Sequence, residues 1–447
     1  MSFYPNEAEP LWSKYSTHAV AHTMDVYSKF SFDYPYPVAI SVNGPVGGME
    51  YPMICFNAPR PLADGTYWGK PANGEQWMHS KYGLISVIIH EVGHNYFPMI
   101  VNSDERQWTW MDEGLNTFLQ YLTEQEWEED YPARRGEPKD MVSYMKSSQQ
   151  VAIMSNSESI LQFGNNAYGK PATALNILRE TILGREVFDF AFRTYSQRWM
   201  FKRPQPADLF RSLEDASGID LDWFWRGWFY STDHVDLAIS DVTEYQMDTL
   251  DPVVDNERLK QDRDEEPVSI SKLRNKNLKL LVDQFPELVD FYNDYDPLDV
   301  IDEDREKDQK AIEELESVDR DLLKLERHFY VVDFENVGGL VMPIILEIEY
   351  FNGSKETRHY PAEIWRQHSD QVSKLLITRE PIRALRVDPH LQTADINLAN
   401  NVYPPEIQKA RFKLSQEKLD KNPMQKAGLG QSDDVEESDD EASESTE

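Results

Sequence analysis

Residues 83–97 read GLISVIIHEVGHNYF, and residues 110–118, a short distance downstream, read WMDEGLNTF. The first stretch is apolar with helical spacing, and its two histidines, His90 and His94, stand at positions i and i+4. A helix places both imidazoles on one face, one turn apart, where they can hold the same ion. Glu113 follows after a spacer of 18 residues, near the start of the next helical pattern. We therefore predict a zinc site in which the two histidines and this glutamate are the ligands and a fourth position stays open.

Glu91 lies beside the first histidine, where its carboxylate can act on water bound to the metal. The alternative interpretation is a core helix that happens to carry two satisfied histidines. It explains neither a charged residue within an apolar run nor the paired histidine spacing. His18 and His22 have the same i, i+4 spacing, but no glutamate follows the first of them. We expect this second pair to lie on a solvent-facing helix.

The chain has 447 residues, with 79 acidic and 45 basic side chains and a formal net charge of −34. So acidic a chain is a poor candidate for binding nucleic acid through phosphates, and we expect no such partner. No apolar run reaches the ~18 residues that span a bilayer. The single cysteine, Cys55, excludes a disulfide framework and a Cys₂ or Cys₄ zinc site. The first residues show no export signal, so the default expectation is a cytoplasmic chain, and the sequence predicts no oligomeric state.

The spacing of apolar residues and the distribution of charge indicate an α+β chain. A helical period dominates the first half, and a period of two follows His234, with Asn352-Gly353 as a hairpin signal. An acidic block with 23 acids and 12 bases interrupts the strands, and the last 16 residues hold nine acids and no base. The predicted segments are a mainly helical domain (1–234), a small β domain (235–250 and 326–395), a charged, partly helical insertion (251–325), a C-terminal extension (396–431) and a disordered acidic tail (432–447).

HEVGH, the spacer and WMDEGL together resemble the gluzincin aminopeptidases, the family of aminopeptidase N and leukotriene hydrolase. GGMEYP (47–52) is similar to the family's G-x-M-E-N signature, and NAYGKPATAL (166–175) is similar to its tyrosine motif. The order of the motifs along the chain also matches. Tyr51 stands where the family usually has Asn, and Pro171 where it usually has Gly. The resemblance implies that the helical domain is thermolysin-like and that the strands after it form a β-sandwich.

Family members normally begin with a β-saddle domain, whereas this sequence starts at the catalytic domain. The resemblance therefore implies that one acceptor for the substrate's free amine, which the saddle domain supplies, is missing. Similar bacterial proteins are often exported, although this sequence shows no export signal.

The resemblance implies a zinc aminopeptidase that holds one Zn²⁺ per chain and cleaves the N-terminal bond of peptides with a free N-terminus. Glu91 would be the general base toward a zinc-activated water, and Tyr168 would donate a hydrogen bond to the oxyanion. Glu50 would accept the α-ammonium of the substrate. Gly47 and Gly48 would let a bound peptide approach the backbone closely, because neither has a Cβ.

Several alternatives stay open. A zinc endopeptidase shares HExxH and a distal glutamate, but an internal peptide has no cation for Glu50. A non-catalytic zinc-binding interaction module, or an inactive fragment, agrees with the absent saddle domain and the acidic blocks, but not with an intact Glu91. Epoxide hydrolysis is a lesser alternative, because nothing in the sequence indicates a lipid tunnel. Asp112 is either an acceptor for a ligand histidine or a carboxylate at a helix start.

Overall fold

The computed structural model describes residues 1–68, 75–323, 327–407 and 420–428. The predicted acidic tail lies outside these residues, as does part of the predicted C-terminal extension. The α-helices are α1 (Leu11–Phe30), α2 (Glu75–Met78), α3 (Lys81–Gly93), α4 (Thr109–Gln125), α5 (Pro138–Met145), α6 (Lys170–Ile177), α7 (Arg185–Trp199), α8 (Pro206–Ser217), α9 (Asp222–Trp225), α10 (Pro252–Glu265), α11 (Ile270–Arg274), α12 (Leu281–Gln284), α13 (Asp302–Glu314), α14 (Ser317–Leu322) and α15 (Pro423–Lys426).

Strands occur near the N-terminus and again after residue 236. They are β1 (Ser2–Phe3), β2 (Ile40–Asn43), β3 (Gly48–Tyr51), β4 (Ile54–Asn57), β5 (Leu237–Tyr245), β6 (His328–Asn336), β7 (Ile344–Tyr350), β8 (Lys355–Tyr360), β9 (Gln371–Thr378), β10 (Ile382–Val387) and β11 (Val402–Tyr403). Segments with π-helical hydrogen bonding are Gly164–Gly169, Leu178–Ile182 and Arg226–Tyr230. Short 3₁₀ turns are Asn6–Ala8, Asn275–Asn277, Pro286–Leu288, Phe291–Asn293 and Ala362–Trp365.

Helix α3 carries His90 and is buried along most of its length, and His94 follows directly as its C-cap residue. It begins where the Ser80 side chain accepts a hydrogen bond from the Gly83 amide, an N-cap that satisfies one of the free donors at a helix start. The helix ends at Gly93, earlier than the predicted end at residue 97. The chain turns there because glycine is a weak helix former, and the Asn95 side-chain amide donates to the Val92 carbonyl.

A four-stranded sheet with the order β1-β2-β4-β3 lies beside α3. Strands β2 and β4 are parallel, whereas β3 runs antiparallel to β4 and forms the edge. The sequence predicted only an extended segment over 48–56, and the structure resolves it into two paired strands with a turn at Pro52 and Met53. Because β3 contacts α3, Gly48 and Glu50 of this strand lie next to the helix that carries His90.

The hydrophobic core continues from the helices into the strands. Phe118 of α4 packs against the rings of Phe188 and Phe192 of α7, with ring centres 5.4 and 5.6 Å away. The same buried cluster includes Val332 of β6 and Ile348 of β7. Burial of each such aromatic or aliphatic side chain contributes about 1.5–3 kcal/mol. Burial therefore holds α4 rigidly, and this helix carries the third predicted zinc ligand.

The C-terminal strands form two sheets, with the orders β11-β10-β7-β8 and β5-β6-β9. The Asn352-Gly353 hairpin prediction is confirmed: antiparallel β7 and β8 flank the turn, and Gly353 has a φ of +83° that favours glycine. The first sheet extends past the predicted boundary at residue 395, because β11 pairs with β10. The mixture of helices and sheets agrees with the predicted α+β class, while the β-sandwich and the domain limits stay predictions.

The acidic insertion contains helices α10 to α14, and no residue described between 251 and 323 is buried. Its partly helical character was predicted, and its helices contribute nothing to the core. Among the residues that the structure describes, no helix combines the length and the apolar composition needed to cross a membrane.

Candidate active site

Three predicted ligands from α3 and α4 meet at one point. His90 Nε2 lies 3.1 Å from Glu113 Oε2 and 3.1 Å from His94 Nε2. The third separation, between His94 Nε2 and Glu113 Oε2, is 3.4 Å. A tetrahedral zinc ion with bonds of about 2.0–2.1 Å separates its ligand atoms by about 3.3 Å. The donor set therefore fits one zinc ion, which would also satisfy two imidazole nitrogens that otherwise face each other.

The outer nitrogens of both histidines are held by further contacts. His94 Nδ1 lies 2.9 Å from the Phe97 carbonyl oxygen and 2.9 Å from Asp112 Oδ1. The carbonyl is the aligned acceptor, since Asp112 Oδ1 has no hydrogen bond with acceptable angles. Asp112 therefore acts on this imidazole as a neighbouring buried charge. His90 Nδ1 lies 2.8 Å from Gln120 Oε1. Both imidazoles thereby present Nε2 to the centre of the site.

Gln120 was not among the predicted site residues. It stands seven positions after Glu113 on α4, which is about two helical turns, so both side chains lie on the same face. That spacing was the available signal in the sequence. Its side-chain NH₂ donates to Glu124 Oε1 at 2.8 Å, which fixes the orientation of the amide and leaves its oxygen for His90.

Glu91 is buried beside the ligands. Burial raises the pKa of its carboxyl group, and its Oε2 has no hydrogen-bond partner among the residues that the structure describes. A Cβ at Gly48 would lie 2.1 Å from Glu91 Oε1, so only glycine fits at this point of β3. A Cβ at Gly47 would meet nothing within 4 Å. Of the two predicted glycines, therefore, Gly48 is the one that the packing requires.

Glu50 lies two residues along β3 from Gly48. One oxygen of Glu50, one oxygen of Glu91 and one nitrogen of His94 lie within 4.8 Å of one another. Two carboxylates so close together repel each other unless a cation lies nearby. This corner of the site therefore suits a positively charged group.

Tyr168 also reaches the ligands. Its hydroxyl donates to Glu113 Oε1 at 2.6 Å, and its ring stacks on that of His90 with centres 5.7 Å apart. Burial, followed by the charge of Glu113, raises the pKa of the phenol, so the hydroxyl stays a donor. The tyrosine lies in the π-helical segment that runs directly into α6, and not in a loop.

Other residues singled out by the sequence lie elsewhere. His18 is exposed, and His22 Nε2 lies 2.9 Å from the carbonyl oxygen of Thr123. Neither belongs to a possible metal-binding group within the described ranges. A larger cleft of about 1030 Å³ borders residues 363–374 of the β region, and no predicted catalytic residue lines it.

Known proteins are similar to the part of the chain that carries this site. Residues 15–228, a little under half of the chain, match the model of the peptidase family M1 domain. This span resembles a peptidase family M1 domain. It contains every predicted site residue, from Gly47 to Tyr168.

The chain is similar to several curated aminopeptidases. It is 23% identical to Aminopeptidase M1 of Arabidopsis thaliana over 233 residues, which cover 48% of this chain and 25% of that protein. It is 28% identical to Glutamyl aminopeptidase of Bos taurus over 155 residues, covering 33% of this chain and 16% of that protein. With Aminopeptidase 2 of Candida albicans the identity is 23% over 298 residues, covering 60% and 31%. The match thus spans between 16% and 31% of these relatives.

Among solved structures, Legionella pneumophila aminopeptidase A in complex with aspartic acid has a TM-score of 0.53 to this chain at 11% identity. The superposition covers 88% of this chain and 36% of that protein. This likeness shows a shared fold.

Proposed function

We propose that this chain is a zinc-dependent aminopeptidase that releases the N-terminal residue of peptides. The observation that carries the proposal is the meeting of three zinc-type donor atoms within 3.4 Å, next to a buried Glu91 whose Oε2 has no hydrogen-bond partner among the described residues. The M1 match and the aminopeptidase relatives support it. His90, His94 and Glu113 would hold one zinc ion, in agreement with the predicted ligand set.

A bound zinc ion supplies a Lewis acid and lowers the pKa of water to near neutrality. Glu91 takes the proton of the attacking water and later delivers it to the nitrogen of the leaving peptide. The Tyr168 hydroxyl donates to the oxyanion that develops at the scissile carbonyl. It must leave Glu113 to do so, and its position 2.6 Å from that carboxylate keeps it next to the reacting groups.

Glu50 supports cleavage at a free N-terminus over internal cleavage. Its carboxylate lies close to Glu91 and His94, where an α-ammonium would relieve the repulsion between two acids. An internal peptide bond offers no cation at this position, so an endopeptidase would leave the charge of Glu50 uncompensated. The open space at Gly47 leaves room for a peptide along β3.

The test is hydrolysis of a panel of aminoacyl p-nitroanilides by the full chain loaded with zinc, beside N-acetylated substrates. We expect cleavage of the free substrates only, and a loss of roughly 10²–10⁴-fold in kcat for Glu91→Gln. Glu186→Gln, on the exposed side of α7, is the matched control and keeps the wild-type rate.

Zinc content is measured on the same samples. One zinc per chain with no cleavage of any substrate would overturn the aminopeptidase proposal in favour of a binding module. Equal cleavage of blocked and free substrates would instead indicate an endopeptidase.

A further inference from the structure

A cavity of about 300 Å³ adjoins the candidate active site on the side of His90 and Tyr168. Glu91 and Gly48 line its inner end, and Arg134 and Arg135 line it as well. Its volume is at the lower end of the range for small-ligand sites and is sufficient for a single amino-acid residue. The proposed mechanism does not use either arginine.

Both arginines are held by aromatic rings and not by acids. The Arg135 guanidinium lies 4.7 Å from the centre of the Tyr168 ring, and that of Arg134 lies 5.0 Å from the centre of the Trp77 ring. A Cβ at Gly164 would lie 2.9 Å from Arg135 Nη2, so this glycine leaves space for the guanidinium. Stacking on a ring orients a guanidinium while leaving its N–H donors available.

Neither guanidinium has a hydrogen bond or a salt bridge to any residue within the described ranges. This is unexpected in a chain with 79 acidic and 45 basic residues, since an arginine in such a chain has many carboxylates available to it. Arg135 is half-buried, and a guanidinium there without an acceptor is costly, because its N–H donors lose water without gaining a partner. Arg134 is exposed, so water can solvate its donors. Arg135 therefore points to an acidic group that arrives with a ligand.

Two acids line the cavity among the described residues, Glu91 and Glu124. Glu91 belongs to the zinc-type site, where the proposed mechanism uses it as the base. Glu124 is fully buried, and its Oε1 accepts the hydrogen bond from Gln120. Burial raises the pKa of this carboxyl group to about 7, so at neutral pH it carries only part of a negative charge. Neither acid forms a salt bridge with Arg134 or Arg135 within the described ranges.

The direction of β3 relates the cavity to the substrate. Gly48 lines the cavity, whereas Glu50, two residues further along the strand, lies beside His94. Two residues of a strand cover about 6.6 Å, so the cavity wall at Gly48 and the predicted ammonium site at Glu50 are adjacent, and Glu91 borders both. A peptide held at Glu50 by its N-terminus would direct the residue after the scissile bond into the cavity.

We infer that Arg135, with Arg134, binds a carboxylate on the leaving side of the peptide, so that the enzyme favours substrates whose second residue carries one. This inference rests on the proposed aminopeptidase function. The carboxylate has two chemical sources, the side chain of Asp or Glu at the second position and the C-terminus of a dipeptide. Bidentate Arg–carboxylate contact is specific for this group, and an amide of the same shape cannot replace it.

The test compares three peptides with the same first residue, chosen as the one cleaved fastest among the anilides. They are Xaa-Gln-NH₂, which has no carboxylate, Xaa-Glu-NH₂, which has a side-chain carboxylate, and Xaa-Gln-OH, which has a terminal one. We expect kcat/KM to be roughly 10- to 100-fold higher for at least one carboxylate peptide than for the neutral peptide. The favoured peptide identifies the source of the carboxylate.

The arginine variants show whether the cavity causes the preference. Arg135→Gln should remove most of the ratio between the charged and neutral peptides, mainly through KM, and Arg135→Lys should retain part of it. Arg379→Gln, an exposed arginine after β9, is the matched control and keeps the wild-type ratio. Equal kcat/KM for all three peptides, or a ratio that survives the Arg134→Gln, Arg135→Gln double substitution, would overturn the inference. A uniform fall in kcat for all substrates would show that Arg135 only positions Tyr168.

Binding separates this inference from the proposed function. Calorimetric titration of the Glu91→Gln variant with the same peptides needs no turnover. Tighter binding of a carboxylate peptide that is lost with Arg135→Gln supports the cavity even if the wild-type chain hydrolyses nothing. Equal binding of charged and neutral peptides by a chain that cleaves anilides would remove the cavity inference and leave the aminopeptidase intact.

Discussion

Helices α4 and α13 are both well formed, yet they are stabilised by different means. In α4, 14 of 17 residues are buried, whereas none of the 13 residues of α13 is buried. Helix α4 is held by the core on nearly every side, and it therefore fixes its polar side chains in place. Helix α13 has to rely on local interactions. Two helices with a similar sequence period can therefore be stabilised in different ways, α4 by tertiary packing and α13 by local interactions.

The local interactions of the insertion are visible in α10. The Asp251 side chain accepts from the Val253 amide at the helix start. Two ion pairs tie the helix to the following chain, between Arg263 and Asp296 at 2.8 Å and between Lys260 and Asp299 at 2.8 Å. Exposed pairs of this kind contribute little, because water and salt screen their charges. The insertion is therefore the less stable of the two regions.

The largest expected contrast comes from removing one phenylalanine from each region. Phe118 is 1% exposed, and Phe291 in the insertion is 67% exposed. Phe118→Ala should lower the free energy of unfolding by about 3–5 kcal/mol, because it leaves a cavity among packed rings. Phe291→Ala should change it by no more than about 0.5 kcal/mol. Denaturant unfolding of the two variants measures both values, and similar losses would contradict the comparison.

A buried lysine in the helical region gives a second test of the contrast with the exposed insertion. Lys170 is fully buried at the start of α6, and its Nζ donates to Gln150 Oε1 at 2.7 Å. Burial lowers the pKa of its amino group to about 7, from the ordinary 10.5. Between pH 7 and pH 10.5, Lys170 is protonated in the unfolded chain and largely neutral in the folded chain. The lysine therefore destabilises the fold most at and below pH 7, and this cost falls as the pH rises toward 10.5.

Replacing Lys170 by methionine should therefore stabilise the protein by about 1–3 kcal/mol at pH 7. The gain should shrink as the pH rises from 7 toward 10.5. Unfolding midpoints of Lys170→Met and wild type over this range measure the difference, with Lys146→Met, at an exposed lysine, as the control. A gain that stays constant with pH would show that charge burial is not its cause.

The smallest effect concerns a helix cap of the insertion. Asp251→Ala removes the acceptor for the Val253 amide and should cost about 1 kcal/mol of local helix stability. Faster hydrogen exchange confined to α10, with an unchanged global unfolding midpoint, is the expected result. A shifted global midpoint would show that the insertion unfolds together with the catalytic core.

The zinc-type constellation could be predicted because one local rule, the i, i+4 spacing, brings His90 and His94 together. Glu113 could be added because it stands near the start of the next helical pattern, 18 residues after His94, and that helix could pack against the first one. The hairpin at Asn352-Gly353 also follows from a local rule. Each of these features depends on residues close together in sequence, or on a known motif.

Contacts between distant segments could not be predicted in the same way. Arg135 meets Tyr168 across 33 positions of sequence, and Gly48 meets Glu91 across 43. Neither pair has a spacing rule, because tertiary packing alone sets it. The requirement for glycine at position 93 has the same origin, since a Cβ there would lie 2.2 Å from the Tyr27 hydroxyl of α1. The sequence shows the glycine but not the neighbour that requires it.

Asp112, Glu113 and Gln120 all project from α4, and together they contact both histidines. Each residue of a helix advances its side chain by about 100° around the axis. One residue inserted or deleted between positions 113 and 120 would therefore rotate one of these side chains away from its histidine while leaving the others in place. Such changes in length should be far less tolerated here than in the acidic insertion, because the spacing along α4 sets the geometry of the whole site.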